Sequence, residues 1–525
     1  MIKLSESKMA LIVHDPMKNL IRKFISTTNL TEIVICLGLI ALSLGHLAKN
    51  QADYDLWGYL AFGRLYWNSG SFPYHDIFSY LPTKDLWVYH EWLTGVLFFP
   101  IYKALGAFGL QLLKFLLGIV SLGSIYSAAK KQGAKPIAIG LALYLALYII
   151  PFGYSPVRAQ LFTYFFFALN LYILENYRIT KRWRSLWWLV LIQLLWCNLH
   201  GGFVAGIGLL FLYMVGEAAS GREYKPYCKV LPFAILVTLI NPYGIKYWTY
   251  LVKAITMPRP EIVEWQSVFS CIKGDRYFWD SIFFISLVCL SLTFTVCYRR
   301  RRHLTSIFLL LGTAYMGFKS IRHIVFFGLV FVTYMPLYFN ICWDKFSYRI
   351  KNLRKLIVVI LISLFLIDSL AFFSSKFIMG SPFDLKTRSK DQTDGKISAS
   401  YYPIGAINYM RKHNLKGNIL AAFDWGEFII CHFFPDCLVA LDGRYETVYP
   451  HEISEEYFDF LYGRDGWLKF LNDYPHDIIL LKSNSGIAQL LRIHPSWIER
   501  YRDSGSVIFI SDSMLSDIKF SQAGE

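Results

Sequence analysis

Residues 53–92 read DYDLWGYLAFGRLYWNSGSFPYHDIFSYLPTKDLWVYHEW. An apolar segment, Thr31 to Ala48, precedes them, so the stretch emerges at one face of a membrane. It carries the acids Asp53, Asp55, Asp76, Asp85 and Glu91, with Arg64, His75 and His90, among many Trp and Tyr residues. Carboxylates, a cation and aromatic rings at a lipid–water boundary suit a site that handles a polar substrate on a lipid anchor.

The whole chain is apolar. Of its 525 residues 55% are hydrophobic, 18% aromatic and only 17% charged, with a mean hydropathy of +0.38. These values describe a polytopic membrane protein rather than a soluble domain on one anchor. The net charge of +16 is unevenly placed: 374–525 holds 16 Lys/Arg against 20 Asp/Glu, and 1–373 holds 37 against 17. A basic excess confined to the apolar part is the charge of cytoplasmic loops, and no nucleic-acid partner is expected. The nine cysteines form no metal pattern. Cys431 and Cys437 lie in the polar tail, where either a disulfide or two free thiols is open. The N-terminal residues lack a short apolar region with a small-residue cleavage site, so no cleaved leader is expected.

Positive charge sets the topology. Lys3, Lys8, Lys18, Arg22 and Lys23 place residues 1–30 in the cytoplasm. Trp92 to Leu105 is expected to lie flat in the outer interface, anchored by Trp92 and Tyr102. The second span is then Phe108 to Ala129. Further spans follow near 136–151, 157–176, 185–199, 202–219, 229–241, 280–298, 304–319, 322–340 and 356–373, about eleven in all. With that register the basic clusters after each inward span, including Arg299 to Arg302, fall inside. The embedded polar motifs fall outside: Arg158 to Gln160, Asn198 to Gly202, Asn241 to Gly244, Glu264-Trp265 and Arg322-His323. Their convergence on one face predicts a shared, water-filled outer cavity.

The expected fold is therefore a polytopic α-helical membrane domain over 31–373, with a first outer loop at 49–106. A linker at 374–400 leads to a small extracytoplasmic α/β domain at 401–525. In that tail, helices are expected at Pro403 to Asn414, 452–473 and 486–493. Strands are expected at Asn418 to Phe423, Cys437 to Leu441 and Asp477 to Leu481, with a hairpin from Trp497 to Ile510. No Gly-rich phosphate loop precedes a tail helix.

Asp53-Tyr54-Asp55 is an Asp-x-Asp triplet directly after the first span. Two carboxylates so spaced can share a divalent ion such as Mg or Mn, or one can act as a base that the other orients. The order of motifs in this loop resembles the GT-C superfamily of polytopic glycosyltransferases, which use polyprenyl-phosphate-linked sugars. Protein O-mannosyltransferases and lipid A aminoarabinose transferases are examples. Their first outer loop opens on an acidic motif and runs through two interfacial helices before the second span. Here these correspond to DYD, Leu56 to Ser69, a Gly70–Pro73 turn, and the helix from Glu91. The chain is closer still to a bacterial group with a GT-C-like core. That group's pattern matches Asp53/Asp55/Trp57, Gly63, Pro73, Asp76 to Tyr80 and His90 to Leu93. It also matches Asn198 to Gly202, Asn241 to Gly244, Glu264-Trp265, Arg322-His323, Asp424 to Glu427 and Asp442 to Arg444. The O-mannosyltransferases pair two adjacent acids, whereas Tyr54 separates Asp53 from Asp55 here.

The resemblance implies transfer of a sugar, with inversion, from a polyprenyl-phosphate donor to an extracytoplasmic glycan, lipid or protein acceptor in the envelope of a bacterial inner membrane. Asp55 is then the expected base, held at a helix N-terminus, with Asp53 beside it. Substrate-binding candidates are Arg64, Asp76, His90, Glu91, Arg158, Gln160, Asn198, His200, Arg322 and His323. Among these, Arg64, Arg158 and Arg322 have the guanidinium fork that fits a leaving phosphate. A transporter or flippase for a lipid-linked glycan would use the same cavity without a base, and a non-catalytic envelope scaffold would use neither. Reporter fusions at Gly221 and Ser400 should report opposite sides of the membrane; signals from the same side would overturn the topology.

Overall fold

Helices occupy most of residues 30–373, and a five-stranded sheet organises the tail. The structure is a computed structural model that describes residues 30–154, 156–257, 259–298, 303–349, 354–387 and 402–512. The basic residues Lys3 to Lys23, the run Arg299 to Arg302 and most of the expected linker lie outside these residues.

Five described helices are long and apolar enough to cross a membrane: Trp92–Lys131, Gly201–Ala219, Phe278–Cys297, Ile321–Lys345 and Val359–Ile378. Shorter apolar helices occupy Glu32–Leu47, Pro136–Ala146 and Leu304–Lys319. The expected spans near 185–199 and 229–241 are helices of 12 residues, Trp188–Leu199 and Lys225–Leu236. A full crossing takes about 20 residues, so length and composition do not reproduce the count of about eleven. The outermost helix, Arg354–Phe373, leaves Leu361, Leu364, Ile367 and Leu370 more than half exposed, a face suited to lipid rather than water. By contrast Leu329, Val330, Phe331 and Met335 of Ile324–Arg349 are fully enclosed.

The long helix Trp92–Lys131 is two segments. Gly106 interrupts it at φ 59° and ψ −147°, a conformation that a side chain would oppose. The break falls where the sequence separates an interfacial helix ending at Leu105 from a span beginning at Phe108.

In the tail, β1 (Gly417–Ala421), β2 (Cys437–Val439), β3 (Ile478–Lys482), β4 (Trp497–Arg502) and β5 (Ser506–Ser511) form one sheet in the order β2-β1-β3-β5-β4. β1 runs parallel to β2 and β3, while β5 is antiparallel to β3 and β4. Ile478 to Leu481 are wholly buried, the continuous apolar run typical of a strand covered on both faces. The helices Ile404–Lys412, His451–Tyr462, Trp467–Asp473 and Gly486–Arg492 fall close to the expected segments. Gly426–Phe433, between β1 and β2, is a helix that the residue pattern did not suggest. Cys431 and Cys437 are both free thiols.

The tail is fastened to the loop that follows the first apolar helix by backbone pairing and a buried ion cluster. Val439 N–H donates to Phe78 O (2.9 Å) and Tyr80 N–H to Val439 O (3.3 Å), so the loop extends the β2 edge. Arg444 donates through Nε and Nη2 to Asp442 (2.8 and 2.6 Å) and through Nη1 to Asp76. Its guanidinium lies over Phe78 and Trp87 (4.9 and 5.0 Å). Asp76 was expected at the substrate; its side chain is instead fully enclosed here, and Oδ2 accepts from the Phe78 and Ser79 amides. Removing one partner of a buried pair leaves an uncompensated charge and typically costs about 3–5 kcal/mol. Arg444→Met should therefore lower unfolding stability by about that amount, measured by thermal or denaturant melts in detergent; a loss under about 1 kcal/mol would contradict the buried role.

Candidate functional site

A cavity of about 1660 Å³ lies where the helical bundle, the first loop and the tail meet. Asp53, Asp55, His90, Glu91, Arg158, Gln160, His200, Arg322 and His323 all line it. Nine of the expected site residues, drawn from five separate stretches of sequence, are thus brought to one place.

Arg158 is the hub. It precedes the helix Gln160–Thr180, and its guanidinium meets three carboxylates: Nη2 donates to Asp55 Oδ2 (3.0 Å), Nη1 to Glu264 Oε1 and Oε2 (3.0 and 3.2 Å), and Nη1 lies 3.6 Å from Asp53 Oδ2. Asp53 Oδ1 accepts from the Asp55 amide (3.2 Å), which ties the two acids of the triplet together. Burial raises both Asp53 and Asp55 above the ordinary carboxylate range; Arg158 opposes the rise and Glu264 adds to it. Glu264 is lowered, because Arg158 and Arg322 outweigh its burial. Asp55 precedes the helix Leu56–Ser69, but its carboxylate makes no cap hydrogen bond to that helix. The expectation that free helix amides hold it is corrected: Arg158 holds it.

In the arrangement seen here Asp53 Oδ2 and Asp55 Oδ2 face the Arg158 guanidinium. Among the described residues no group of three His, Cys, Asp or Glu is placed to hold a metal, and the structure fixes no cofactor.

A second set of groups surrounds Glu91. Gly202 N–H donates to His200 Nδ1 (2.8 Å), so the ring proton sits on Nε2, which faces Glu91 Oε1 at 3.3 Å. Thr163 Oγ1 lies 2.7 Å from the same Nδ1 and itself accepts from Trp196 Nε1 (2.9 Å). A chain of donors therefore runs from Trp196 through Thr163 and His200 to Glu91. Burial keeps His200 neutral. Glu91 thus has no charged partner in contact, and burial raises it to about 7 against the Tyr59 hydrogen bond and the more distant Arg158 and Arg322. His90 stacks on Tyr250 (5.6 Å) and lies edge-on to His200.

Arg322 differs from Arg158. Among the described residues no carboxylate lies within 4 Å of it. It rests over the Trp265 ring (4.4 Å), and with the Gln160 amide oxygen turned toward it, that oxygen accepts from Nε (3.1 Å). Arg259 lies over the same ring (4.3 Å) and donates to Glu446 Oε1 (3.0 Å). Arg322 is thus a guanidinium positioned by a ring and an amide rather than by a carboxylate in contact.

Two further candidates lie away from the cavity. Arg64 donates to the Cys431 and Ile430 carbonyls (2.9 and 3.5 Å), near the end of the tail helix Gly426–Phe433. Asn198 is buried, donating to the Leu194 and Ile240 carbonyls (both 2.9 Å) and accepting from Trp92 Nε1 (3.0 Å). Neither lines the cavity, and the hydrogen bonds of both, like those of Asp76, join elements of the fold. Conversely, Glu264, Trp265, Arg259, Tyr59 and Glu427 reach the cavity wall without having been singled out as site residues. Glu264-Trp265 was visible as a motif.

No family model matches the chain, and no curated protein matches it by sequence. Solved structures do match. AglB, the oligosaccharyltransferase of Archaeoglobus fulgidus solved with an inhibitory peptide and a dolichol-phosphate, superposes with a TM-score of 0.58 at 9% identity over 92% of this chain and 74% of its own. ArnT of Cupriavidus metallidurans bound to undecaprenyl phosphate gives 0.52 at 12% identity, over 91% and 97%. The same ArnT in its apo state gives 0.54 at 14% identity, over 92% and 98%. The chain has the GT-C fold. The likeness, extending over nearly the whole GT-C chain of ArnT, agrees with the loop-first order of motifs in the sequence.

The Glu91 environment can be checked without a substrate. The protonated-carboxyl infrared band of Glu91 should be present below about pH 7 and vanish as pH rises through that value. It should be missing from the Glu91→Gln difference spectrum. A Glu91 already ionised in the ordinary carboxylate range, near 4.3, would contradict the arrangement.

Proposed function

We propose that the protein is a membrane glycosyltransferase that moves a sugar from a polyprenyl-phosphate donor to a hydroxyl on an extracytoplasmic glycan, lipid or protein, with inversion at the anomeric carbon. The observation that carries this reading is one cavity with an Arg158-held pair of aspartates on one wall and, on another, the Arg322 guanidinium, which has no carboxylate within 4 Å among the described residues. The related folds of AglB and ArnT were solved with dolichol-phosphate and undecaprenyl phosphate, which supports the same class of donor here.

In this reading Asp55 accepts the proton of the acceptor hydroxyl while the oxygen attacks the anomeric carbon. The bond from that carbon to the phosphate oxygen breaks on the opposite face, and polyprenyl phosphate leaves with the electron pair. Arg322 meets the charge that develops on the phosphate. Arg158 keeps Asp55 and Asp53 in place and offsets part of their mutual repulsion. Glu91, His200, His90 and His323 offer hydrogen-bonding groups to the sugar. The helical bundle and its polar face agree with an integral membrane protein whose site and tail are extracytoplasmic.

Purified protein given a polyprenyl-phosphate sugar tests the assignment. Asp55→Asn should lose about two to four orders of magnitude in turnover with donor binding intact, and a deeper loss in Asp53→Asn would exchange the two roles. Arg322→Ala should weaken donor binding by about 10- to 150-fold; unchanged affinity would remove Arg322 from the phosphate. The acid limb of the kcat/KM profile should lie above the ordinary carboxylate range, because Asp55 must be deprotonated to act and its environment raises it.

A further inference from the structure

The tail reaches the site through one side chain. Glu427 opens the helix Gly426–Phe433 and is only 5% exposed. Its Oε2 accepts from the amide of Gly58 (3.0 Å), in the first turn of the loop helix Leu56–Ser69. That turn's amides need acceptors, and the residue in the ordinary capping position, Asp55, supplies none with its side chain. A carboxyl from 369 residues downstream takes the place of a local cap.

Two glycines make room for it. A Cβ on Gly58 would lie 2.3 Å from Glu427 Oε2, and a Cβ on Gly443 would lie 2.9 Å from Glu427 Oε1 and 3.3 Å from Asp55 Oδ1. The free oxygens of Glu427 and Asp55 therefore face the same space, which is left open because residue 443 has no side chain. Asp55 is gripped at Oδ2 by Arg158, and its Oδ1 is turned toward Glu427. Arg444, the next residue, is tied to Asp442 and Asp76 and fixes the turn that carries Gly443.

From this arrangement we infer that Glu427 is a positioning residue of the active centre: it caps the loop helix from the tail domain and, with Gly443, sets the side of Asp55 opposite Arg158. The tail domain is then part of the active centre, which is incomplete without it. One oxygen of Glu427 receives the Gly58 amide, and the other bounds the space beside Asp55. An amide side chain of the same shape can do both, whereas an apolar chain of the same length can do neither. The role in turnover rests on the assignment of Asp55 as base, while the capping geometry does not.

Glu427→Gln and Glu427→Met in the full-length protein separate these parts. Hydrogen exchange at the Gly58 amide reads the cap without any substrate, and turnover of a polyprenyl-phosphate sugar reads Asp55. Glu427→Gln should keep wild-type protection and turnover within about threefold. Glu427→Met should exchange at least about tenfold faster at Gly58 and lose at least about tenfold in kcat, with KM for the donor unchanged. Gly443→Ala, which leaves Glu427 in the chain and puts a Cβ between the two carboxyls, should lower kcat in the same direction and carries the test if Glu427→Met does not fold. Wild-type kcat in both Glu427→Met and Gly443→Ala would overturn the inference. So would a Glu427→Met loss of kcat with Gly58 protection unchanged. If the wild-type protein turns over no such donor, the functional reading fails, and the exchange data alone decide the cap.

Discussion

One guanidinium surrounded by acids sets the terms for the rest of this molecule. Asp53, Asp55 and Glu264 would repel one another at the distances seen here, and burial would add several kcal/mol to the cost of each charge. Arg158 makes the cluster tenable. It joins the start of the first loop to the segment Val263–Trp265 and to the helix that follows it. The cluster is still more negative than positive, so its carboxylates remain sensitive to any further charge brought near. Arg322, also on the cavity wall, is braced instead by Trp265 and Gln160, with no carboxylate within 4 Å among the described residues.

The two acid environments in the cavity differ in kind. Asp55 is fixed by ionic contacts, whereas Glu91 is fixed by neutral donors relayed from Trp196. Groups held by such unlike surroundings respond differently to the same approaching substrate. Burial raises both above the ordinary carboxylate range, and of the two Asp55 has the Arg158 cation in contact to oppose that rise. The separation depends on the packing of the loop against the bundle, which brings Asp55 to Arg158 and Glu91 to His200.

Much of the fold was legible because its signals are local. The break at Gly106 falls between the two apolar segments that the sequence separates at Leu105 and Phe108, and the tail strands follow from short apolar runs between turn residues. The number of membrane crossings was less legible, because helices such as Trp188–Leu199 are apolar yet stop short of a crossing. At the site, residue type identified the candidates but not their partners. Arg64, Asp76 and Asn198 are polar groups in an apolar chain just as Arg322 is. Only the folded contacts show that the first three meet carbonyls, amides and Arg444. Glu427 was visible only as part of the Asp424 to Glu427 motif, because its partner Gly58 lies 369 positions away. Its trace in the sequence lies at Gly58, where a helix-disfavouring glycine occupies the first turn of an otherwise well-formed helix.

The backbone pairing of the loop with β2 has a consequence for biogenesis. Phe78 and Val439 are partners across 361 positions, and the ribosome delivers them in that order. At roughly 5–20 residues per second, the loop waits about 20–70 s for the strand that completes it. Through that interval the loop's strand edge is unpaired, and Asp76 has not yet met Arg444. Nascent chains cut short before the tail would carry every acid of the cluster and yet leave the loop unlatched. Assembly of this protein is thereby ordered in time, with the loop that follows its first apolar helix secured by the tail domain.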